Sequence, residues 1–319
     1  MRLKDKAWHN CHTDKKYTVV MSLVMVGLST LLFSVIAPIS AISTKVDPIL
    51  LLSAGSFVAL FVHIPFVKNL KQRISTCRWQ IYLLIVAGGA INAWAYVLLT
   101  IALRQSDNAI IQVLILELYP VVTVILAGIL LAQQHIRQRH YFWMIVCVFG
   151  VLILMLDGQE ISFHGLKANM ANGQNANFLM LFTVLFYSLG NVFTLRASRL
   201  MGGTASDGIF TSFLIRIVHF LVTLPFASWA LMEEMIQQQD FINLGYIFVY
   251  GASALALSNI LYFAAVNINK SNLLHIMLFM GPVFSTAWLA LLGLGNYNLA
   301  TVIGGGLIIL SVLRVTLSK

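Results

Sequence analysis

The chain has 319 residues, of which 59% are hydrophobic and 10% are charged, and its formal net charge is +9. Soluble domains contain about 25% charged residues, so this composition excludes a soluble enzyme, a disordered chain and a secreted disulfide-linked domain. The three cysteines are too few for a disulfide framework. A bilayer core needs about 20 apolar residues per helix, so the length of the apolar runs decides the class of protein.

Apolar runs of that length occur about ten times along the chain. Seven stretches contain no Lys, Arg, Asp or Glu: residues 17–44, 48–67, 79–103, 141–156, 168–195, 241–269 and 271–313. Two more, 108–134 and 208–232, contain one charged residue each, Glu117 and Arg216. A turn-like segment at 293–298 divides the last stretch into a ninth span and a tenth, 299–317. The sequence therefore predicts an all-α membrane protein with ten transmembrane helices.

The distribution of Lys and Arg sets the predicted orientation, because positively charged loops stay on the cytoplasmic side of a membrane. With both termini in the cytoplasm, sixteen Lys and Arg fall in cytoplasmic segments and only Lys45, Arg104 and Lys167 fall in external ones. This asymmetry supports the ten-span topology and accounts for the positive net charge. We therefore expect no nucleic-acid partner, since the chain has no compact basic domain to bind one.

An internal repeat divides the chain into two halves. The segment 102–123 resembles the segment 264–285, and pairing Pro120 with Pro282 also aligns Ala102 with Ala264. The tripeptide Ile-Pro-Phe at 64–66 recurs as Leu-Pro-Phe at 224–226, at almost the same offset along the chain. The predicted organisation is a cytoplasmic tail at 1–16, a first repeat at 17–156, an external linker at 157–176 and a second repeat at 177–319.

Five spans per repeat is an odd number, so the second repeat crosses the membrane in the opposite sense to the first. Inverted repeats of this kind are typical of secondary transporters. In those proteins the substrate lies near the midplane, beside helices that prolines interrupt. Pro120 and Pro282 are therefore the expected helix breaks.

Three short motifs carry a resemblance to a known family. They are Leu-Tyr-Pro-Val-Val-Thr-Val-Ile-Leu at 118–126, Gly-Leu-Ser-Thr at 27–30 and Phe-Tyr-Ser-Leu-Gly-Asn at 186–191. With the repeat, they are similar to the EamA family of the drug/metabolite transporter (DMT) superfamily, and within it to YddG-type exporters of amino acids and metabolites. The resemblance covers residues 17–317. It implies a basket of ten helices around a cavity lined by spans 1, 3, 4, 6, 8 and 9, with alternating access.

Glu117 and Arg216 are the charged residues predicted to lie deepest in the membrane. A charge at the bilayer centre costs about 2.5–3.5 kcal/mol on insertion scales, so such residues are expected to be functional. Glu117 lies about ten residues into the fourth span, near the midplane, where a carboxyl group can exchange a proton or hold a cationic substrate. Alternatively, it forms a structural ion pair with Arg216, whose helix face also carries His219. The exporters that the chain resembles carry an uncharged residue at the place of Glu117.

Polar residues along the other spans are further candidates for substrate contact. Asn92 and Tyr96 are four residues apart in the third span, and Tyr187 and Asn191 are four apart in the sixth, so each pair lies on one helix face. The same argument adds Tyr119, Asn259, Tyr262, Thr30 and Ser34. The alternative is that these groups only join helices, through hydrogen bonds worth about 0.6 kcal/mol each.

These features predict a secondary transporter of small amphipathic metabolites, specifically an exporter of amino acids or related amines. The expected partners are a small-molecule substrate, the lipid bilayer and protons, with no cofactor and no metal, in the cytoplasmic membrane of a bacterium. One alternative is a proton-coupled antiporter of cationic drugs or metabolites, or an uptake carrier. More remote alternatives are an intramembrane enzyme and a non-transporting scaffold. The enzyme is disfavoured because no metal-ligand motif such as HExxH and no nucleophile with a base appears.

Overall fold

The computed structural model describes residues 19–67, 69–131, 138–156, 175–202, 204–268 and 280–317. All regular secondary structure in these ranges is helical, and seven of the helices are long and apolar enough to cross a membrane. This result is consistent with an integral membrane protein of the all-α class. The predicted tail at 1–16 and the linker up to residue 174 lie outside the described residues.

Long helices alternate with short connecting ones. In chain order, the first seven are α1 (Val19–Ile42), α2 (Pro48–His63), α3 (Leu70–Thr76), α4 (Trp79–Gln105), α5 (Ala109–Leu116), α6 (Tyr119–Leu131) and α7 (Gln138–Leu156). They are followed by α8 (Asn175–Met201), α9 (Ala205–Thr223), α10 (Trp229–Gln237), α11 (Phe241–Val249), α12 (Ser258–Ile268), α13 (Gly281–Leu291) and α14 (Leu299–Leu317). Single 3-10 turns follow α2 at Ile64–Phe66 and α9 at Leu224–Phe226.

Two predicted boundaries were wrong. The seventh span was expected to extend to residue 232, but α9 ends at Thr223 and residues 229–237 form the separate helix α10. Pro225, in the 3-10 turn after α9, explains the early end, because its ring does not fit a continuing α-helix. The linker was expected to extend to residue 176, whereas α8 already begins at Asn175.

The fourth predicted span is broken in front of Pro120, as the sequence predicted. Pro120 has no N–H group to donate to the carbonyl of Leu116, four residues earlier, and α5 ends at that residue. Across the break, the N–H groups of Glu117 and Leu118 donate to carbonyls three residues earlier. The α-helical pattern resumes at Tyr119. A proline thus separates α5 from α6 inside one membrane span.

A second proline interrupts α1, and the sequence analysis did not predict it. Pro38 cannot donate to the carbonyl of Ser34, and a turn follows Ser34 in the chain. The hydroxyl group of Ser285 on α13 donates to that carbonyl instead, at 3.1 Å. The other predicted break, at Pro282, stays a prediction, because Pro282 is the second residue of α13 and residues 269–279 are not described.

A π-helix, Tyr250–Leu257, joins α11 to α12. The N–H group of Ser258 donates to the carbonyl of Ser253, five residues earlier rather than four. Segments of this kind often occur at functional sites, because the extra residue changes the direction of the side chains that follow. Here it directly precedes the part of α12 that carries Asn259 and Tyr262.

Glycines let two pairs of helices approach until their backbones are in contact. A Cβ atom on Gly88 of α4 would lie 2.8 Å from the carbonyl oxygen of Gly190 on α8. A Cβ atom on Gly304 of α14 would lie 2.7 Å from the carbonyl oxygen of Gly150 on α7. Small residues are the usual means of close helix packing in membranes. The α4–α8 contact positions the cavity described below.

Arginines fasten the ends of two helices. Arg104, near the end of α4, donates to the carbonyl groups of Ser40, Ser43 and Val46 at 2.9, 2.7 and 2.8 Å. It thereby satisfies carbonyls at the C-terminal end of α1 that have no partner within that helix. At the other end of α4, an ion pair of 2.8 Å connects α3 to the first turn of α9, between the side chains of Arg73 and Asp207.

Candidate functional site

A central cavity of about 340 Å³ lies among the long helices. Its walls come from α1, α4, the break between α5 and α6, α8, α12 and α13, which correspond to predicted spans 1, 3, 4, 6, 8 and 9. The lining residues are Ser29, Thr30, Phe33, Ile36, Ala37, Ala95, Tyr96, Leu99, Val113, Leu116, Glu117, Tyr119, Pro120, Thr183, Tyr187, Ser258, Asn259, Tyr262, Gly281, Pro282 and Ser285. Glu117 is the charged residue among them.

Glu117 lies at the break between α5 and α6 and is half-buried in the cavity wall. Its N–H group donates to the carbonyl of Leu114 at 3.2 Å, and the N–H group of Leu118 donates to that of Ile115 at 3.1 Å. These bonds reach back only three residues, so the carbonyls of Leu116 and Glu117 receive no backbone N–H in the described residues. A carboxylate beside two unused carbonyls forms a set of acceptors, which suits a ligand that donates hydrogen bonds.

Three tyrosines form a cluster in the cavity wall: Tyr119, two residues after Glu117, with Tyr187 and Tyr96. The ring centroids of Tyr119 and Tyr187 are 5.0 Å apart at an interplanar angle of 89°. Those of Tyr187 and Tyr96 are 5.7 Å apart at 85°, and their hydroxyl oxygens are 3.5 Å apart. Edge-to-face contacts of this kind are favourable and hold the rings in defined orientations. The cluster therefore presents tyrosine hydroxyl groups in defined orientations at the cavity wall.

Five other predicted residues also lie in the lining: Thr30, Pro120, Asn259, Tyr262 and Pro282. The amide nitrogen of Asn259 donates to the carbonyl of Leu255 at 3.1 Å, which fixes the orientation of the amide group. The Thr30 hydroxyl donates to a carbonyl of its own helix at 2.8 Å. These side chains place hydroxyl and amide groups on the walls that α1 and α12 contribute.

Asn92, Asn191 and Ser34 do not line this cavity, contrary to the expectation of substrate contact. Asn92 is buried between α4 and α8, and its amide nitrogen lies 3.5 Å from the amide oxygen of Asn191. It occupies the space that Gly190 leaves open, since a Cβ there would lie 2.3 Å from Asn92 Oδ1. The Ser34 hydroxyl donates to Leu31 in its own helix. Asn92 and Asn191 thus join α4 to α8, which was the alternative interpretation, whereas Ser34 joins α1 to α13 only through its backbone carbonyl.

Arg216 and His219 lie on α9 behind Tyr96, outside the cavity lining. Arg216 Nη1 is 3.1 Å from His219 Nδ1, and the guanidinium carbon is 5.9 Å from the centroid of the Tyr96 ring. Within the described ranges the one ion pair is that between α3 and α9, so Glu117 and Arg216 do not pair. The same part of the chain contains no group of three or more His, Cys, Asp or Glu that could hold a metal ion.

The sequence analysis missed the small hydroxyl residues of the cavity. Ser29, Thr183, Ser258 and Ser285 all line it. The hydroxyl of Ser29 on α1 donates to the carbonyl of Ser258 on α12 at 2.7 Å, across the cavity edge. Serine and threonine in membrane helices commonly bond to backbone carbonyls, so the sequence holds no signal that separates these residues from others of their kind.

A second, more polar pocket of about 500 Å³ lies where α3, the start of α4, the end of α8 and the start of α9 meet. Its lining includes Arg73, Cys77, Arg78 and Asp207. Burial raises the pKa of the Cys77 thiol, although a hydrogen bond with Tyr82 works in the opposite direction. The ion pair between α3 and α9 forms part of this pocket, which lies at the end of the molecule predicted to face the cytoplasm.

No protein-family model matches this sequence, and no curated protein does. The fold is similar to a solved structure described only as a crystal structure of a protein, with a TM-score of 0.55. The two sequences are 14% identical, and the match covers 93% of this chain and 99% of the other. Since the identity is so low, the match establishes a shared fold alone. That fold extends over nearly the whole of both chains.

Proposed function

We propose that the protein is a secondary transporter, which carries a small amphipathic metabolite across the membrane through the central cavity. The observation that carries the proposal is the cavity itself, about 340 Å³ in volume, between apolar helices and with Glu117 and three tyrosines in its wall. Transporters bind their substrates at interrupted helices near the bilayer midplane. Glu117 is located at such an interruption, directly before Pro120.

The bounds of the helices support an architecture of two five-helix repeats. Two pairs of helices are separated by the same number of residues. One pair is α4 and α11, counted from start to start, and the other is α6 and α13. Helices α7 and α14 have equal lengths and nearly the same separation, as do the two 3-10 turns. Seven long and three shorter apolar helices supply the ten spans that this architecture requires.

Contacts between the two halves support the inverted relation of the repeats. Corresponding helices pack against each other, namely α2 against α9 and α7 against α14. A pseudo-twofold axis in the membrane plane brings a helix that lies along it into contact with the corresponding helix of the other repeat. One further contact occurs twice. Helix α2 packs against the π-helix of the second half, and its counterpart α9 packs against α4, the corresponding part of the first half.

The chemistry of the wall favours a substrate with an amine and an apolar or aromatic part. Glu117 and the unused carbonyls beside it accept hydrogen bonds, and the tyrosine rings offer surfaces for apolar groups and cations. Amino acids and related amines fit this description. The resemblance to the EamA family adds the direction, export, and the cytoplasmic membrane of a bacterium with both termini in the cytoplasm.

A second candidate function is proton-coupled antiport of a cationic drug or metabolite, or uptake by symport. The observation in its favour is that Glu117 has no ion-pair partner within the described residues, so its carboxylate is available to a proton or a cation. If the two compete for this group, export of one cation is coupled to entry of one proton. An intramembrane enzyme is disfavoured, because the described lining contains one carboxyl group and neither cysteine nor histidine.

Transport by purified protein in liposomes tests the proposal. Vesicles loaded with unlabelled amines or amino acids should take up the labelled compound by counterflow, and empty vesicles should not. Glu117→Gln should reduce the rate at least about tenfold, because a hydrogen bond to a charged group contributes about 1.5–3 kcal/mol. The matched control is Glu234→Gln on α10, since Glu234 is exposed and distant from the cavity lining. Vesicles that show no counterflow with any compound of the panel would exclude transport of these compounds.

A further inference from the structure

Six buried side-chain nitrogen or oxygen atoms of the described residues have no hydrogen-bond partner. Four of them belong to two facing helices: Ser53 Oγ and Ser56 Oγ on α2, and Arg216 Nε and His219 Nε2 on α9. Arg216 is 5% exposed and the other three residues are 0% exposed. Buried polar groups are nearly always bonded in proteins, so four unsatisfied atoms on one helix pair need an explanation.

The register of α2 and α9 places the residues that carry these atoms at neighbouring levels of the helix pair. His63 Nε2 is 3.2 Å from the hydroxyl oxygen of Ser212, and the rings of Phe57 and Phe220 have centroids 5.3 Å apart. Between these two contacts the numbering falls along α2 while it rises along α9. The helices are therefore antiparallel, and residues whose numbers add up to about 275 to 277 lie at the same level.

In this register Ser56 lies level with His219, and Ser53 lies about one turn further along. A third helix closes the space, because the Tyr96 ring of α4 lies 5.6 Å from the His219 ring and 5.9 Å from the Arg216 guanidinium. We call Ser53, Ser56, Arg216 and His219 the donor cluster. Tyr96 separates the donor cluster from the central cavity, since the same side chain also lines that cavity.

Every unsatisfied atom of the donor cluster can donate a hydrogen bond. A guanidinium group only donates, so His219 Nδ1, which faces Arg216 Nη1 at 3.1 Å, must be the acceptor. The proton of the neutral imidazole is then on Nε2, where it has no acceptor. Arg216 Nε carries a second free N–H group, and the serine hydroxyls can supply two more donors.

The donor cluster also carries a positive charge, because an arginine side chain does not lose its proton in proteins. No carboxylate of the described residues forms an ion pair with Arg216. A buried charge without a counter-charge costs several kcal/mol. The ligand that complements four donors and one positive charge is an anion, and a site enclosed by three packed helices admits only a small one.

We infer that the donor cluster binds a small monovalent anion, such as chloride, between α2, α4 and α9. A halide accepts hydrogen bonds from several directions, so it can satisfy side chains that approach from different helices. Its charge neutralises Arg216 inside the membrane. This site is separate from the substrate cavity, and it stands or falls independently of the proposed transport function.

Thermal unfolding and diffraction test the site directly. The purified protein, prepared in gluconate and titrated with chloride at constant ionic strength, should melt about 3–5 °C higher at saturation, since a ligand of the folded state stabilises it. Crystals soaked in bromide should show an anomalous peak between Arg216 Nε and His219 Nε2. Equal melting temperatures in both salts, or bromide-soaked crystals without that peak, would overturn the inference.

Two variants locate the effect. Arg216→Gln removes the charge, and His219→Asn keeps an acceptor near Arg216 but removes the distal N–H group. Both should lose the response to chloride, whereas Arg78→Gln, which removes an exposed arginine, should keep it. A full chloride response in His219→Asn would place the anion elsewhere. If Arg216→Gln does not fold, the bromide peak in the wild-type protein still decides the question.

Discussion

The hydroxyl groups of Tyr96 and Tyr187 lie 3.5 Å apart and join α4 to α8 at the wall of the central cavity. On its other side, the Tyr96 ring packs against Arg216 and His219. Tyr96 is therefore in contact with both the cavity and the donor cluster. A substitution of Tyr96 therefore changes both sites, whereas a substitution of Tyr187 changes the wall of the cavity.

Tyr187→Phe tests the part of the tyrosine cluster that contacts the ligand. The substitution removes the hydroxyl but keeps the ring that packs on Tyr119 and Tyr96. We expect the Kd of a transported compound to rise about 3-fold to 10-fold, the cost of one hydrogen bond. Titration calorimetry on the purified protein measures it. Tyr82→Phe is the control, since the Tyr82 hydroxyl donates to Ile74, outside the cavity, and an equal effect there would contradict the prediction.

Asn259→Ala and Asn92→Ala should separate binding from stability. Asn259 lines the cavity, so its loss should weaken binding with little change in melting temperature. Asn92 is buried between α4 and α8, so its loss should lower the free energy of unfolding by about 1–2 kcal/mol and leave the Kd unchanged. Melting curves with and without ligand distinguish the two. Weaker binding in Asn92→Ala at unchanged stability would restore Asn92 to the substrate site.

Gly304→Ala and Gly306→Ala are matched substitutions two residues apart on α14. A Cβ on Gly304 would lie 2.7 Å from the backbone of Gly150, so α7 and α14 must separate, and we expect a loss of about 1–3 kcal/mol. A Cβ on Gly306 meets nothing within 4 Å, and alanine is the better helix former by up to about 1 kcal/mol. Thermal unfolding should therefore rank Gly306→Ala above the wild type and Gly304→Ala below it. The reverse order would disprove the close α7–α14 contact.

Labelling of Cys77 tests both its environment and the orientation of the chain. Burial raises the pKa of this thiol, so less thiolate is present at neutral pH than in a free cysteine. The other two cysteines are Cys11, in the predicted N-terminal tail, and Cys147, which is buried in α7. In a Cys11→Ser background, maleimide labelling should therefore report on Cys77 and should increase close to tenfold per pH unit between about pH 7 and 8.5. An impermeant maleimide should label Cys77 in inverted vesicles and not in intact cells. Labelling of intact cells would reverse the predicted orientation.

The sequence predicted the helical class and the seven long apolar helices, because a helix in lipid must be apolar over its full length. The break before Pro120 followed from the same reasoning, since proline cannot complete the hydrogen bond. The turn before Pro38 follows from the same chemistry and could have been predicted in the same way. The π-helix Tyr250–Leu257 could not, because nothing in its sequence, which contains no proline and no charged residue, distinguishes it from an α-helix.

The site was predictable only in part, because spacing defines a helix face but does not identify the neighbour of that face. Asn92 and Tyr96 lie on the same face of α4, one turn apart. Tyr96 reaches the cavity, whereas Asn92 meets Gly190, where the missing side chain leaves room for an amide group. Glu117 could be predicted as a site residue from the sequence, because a carboxylate inside a membrane span costs free energy and is rarely present without a function. Its lack of an Arg216 partner depends on the arrangement of the helices.

The π-helix has a consequence for how this protein can vary. A segment wound in wider turns contains one residue more than the α-helix that would span the same distance. Deleting a single residue from Tyr250–Leu257 can therefore restore regular winding with little change in the length of the span. Because the deleted residue is the one that the wider turns accommodate, Asn259 and Tyr262 would keep nearly their present direction toward the cavity. A one-codon deletion within the π-helix is thus a change in length that this span can absorb without displacing the cavity wall.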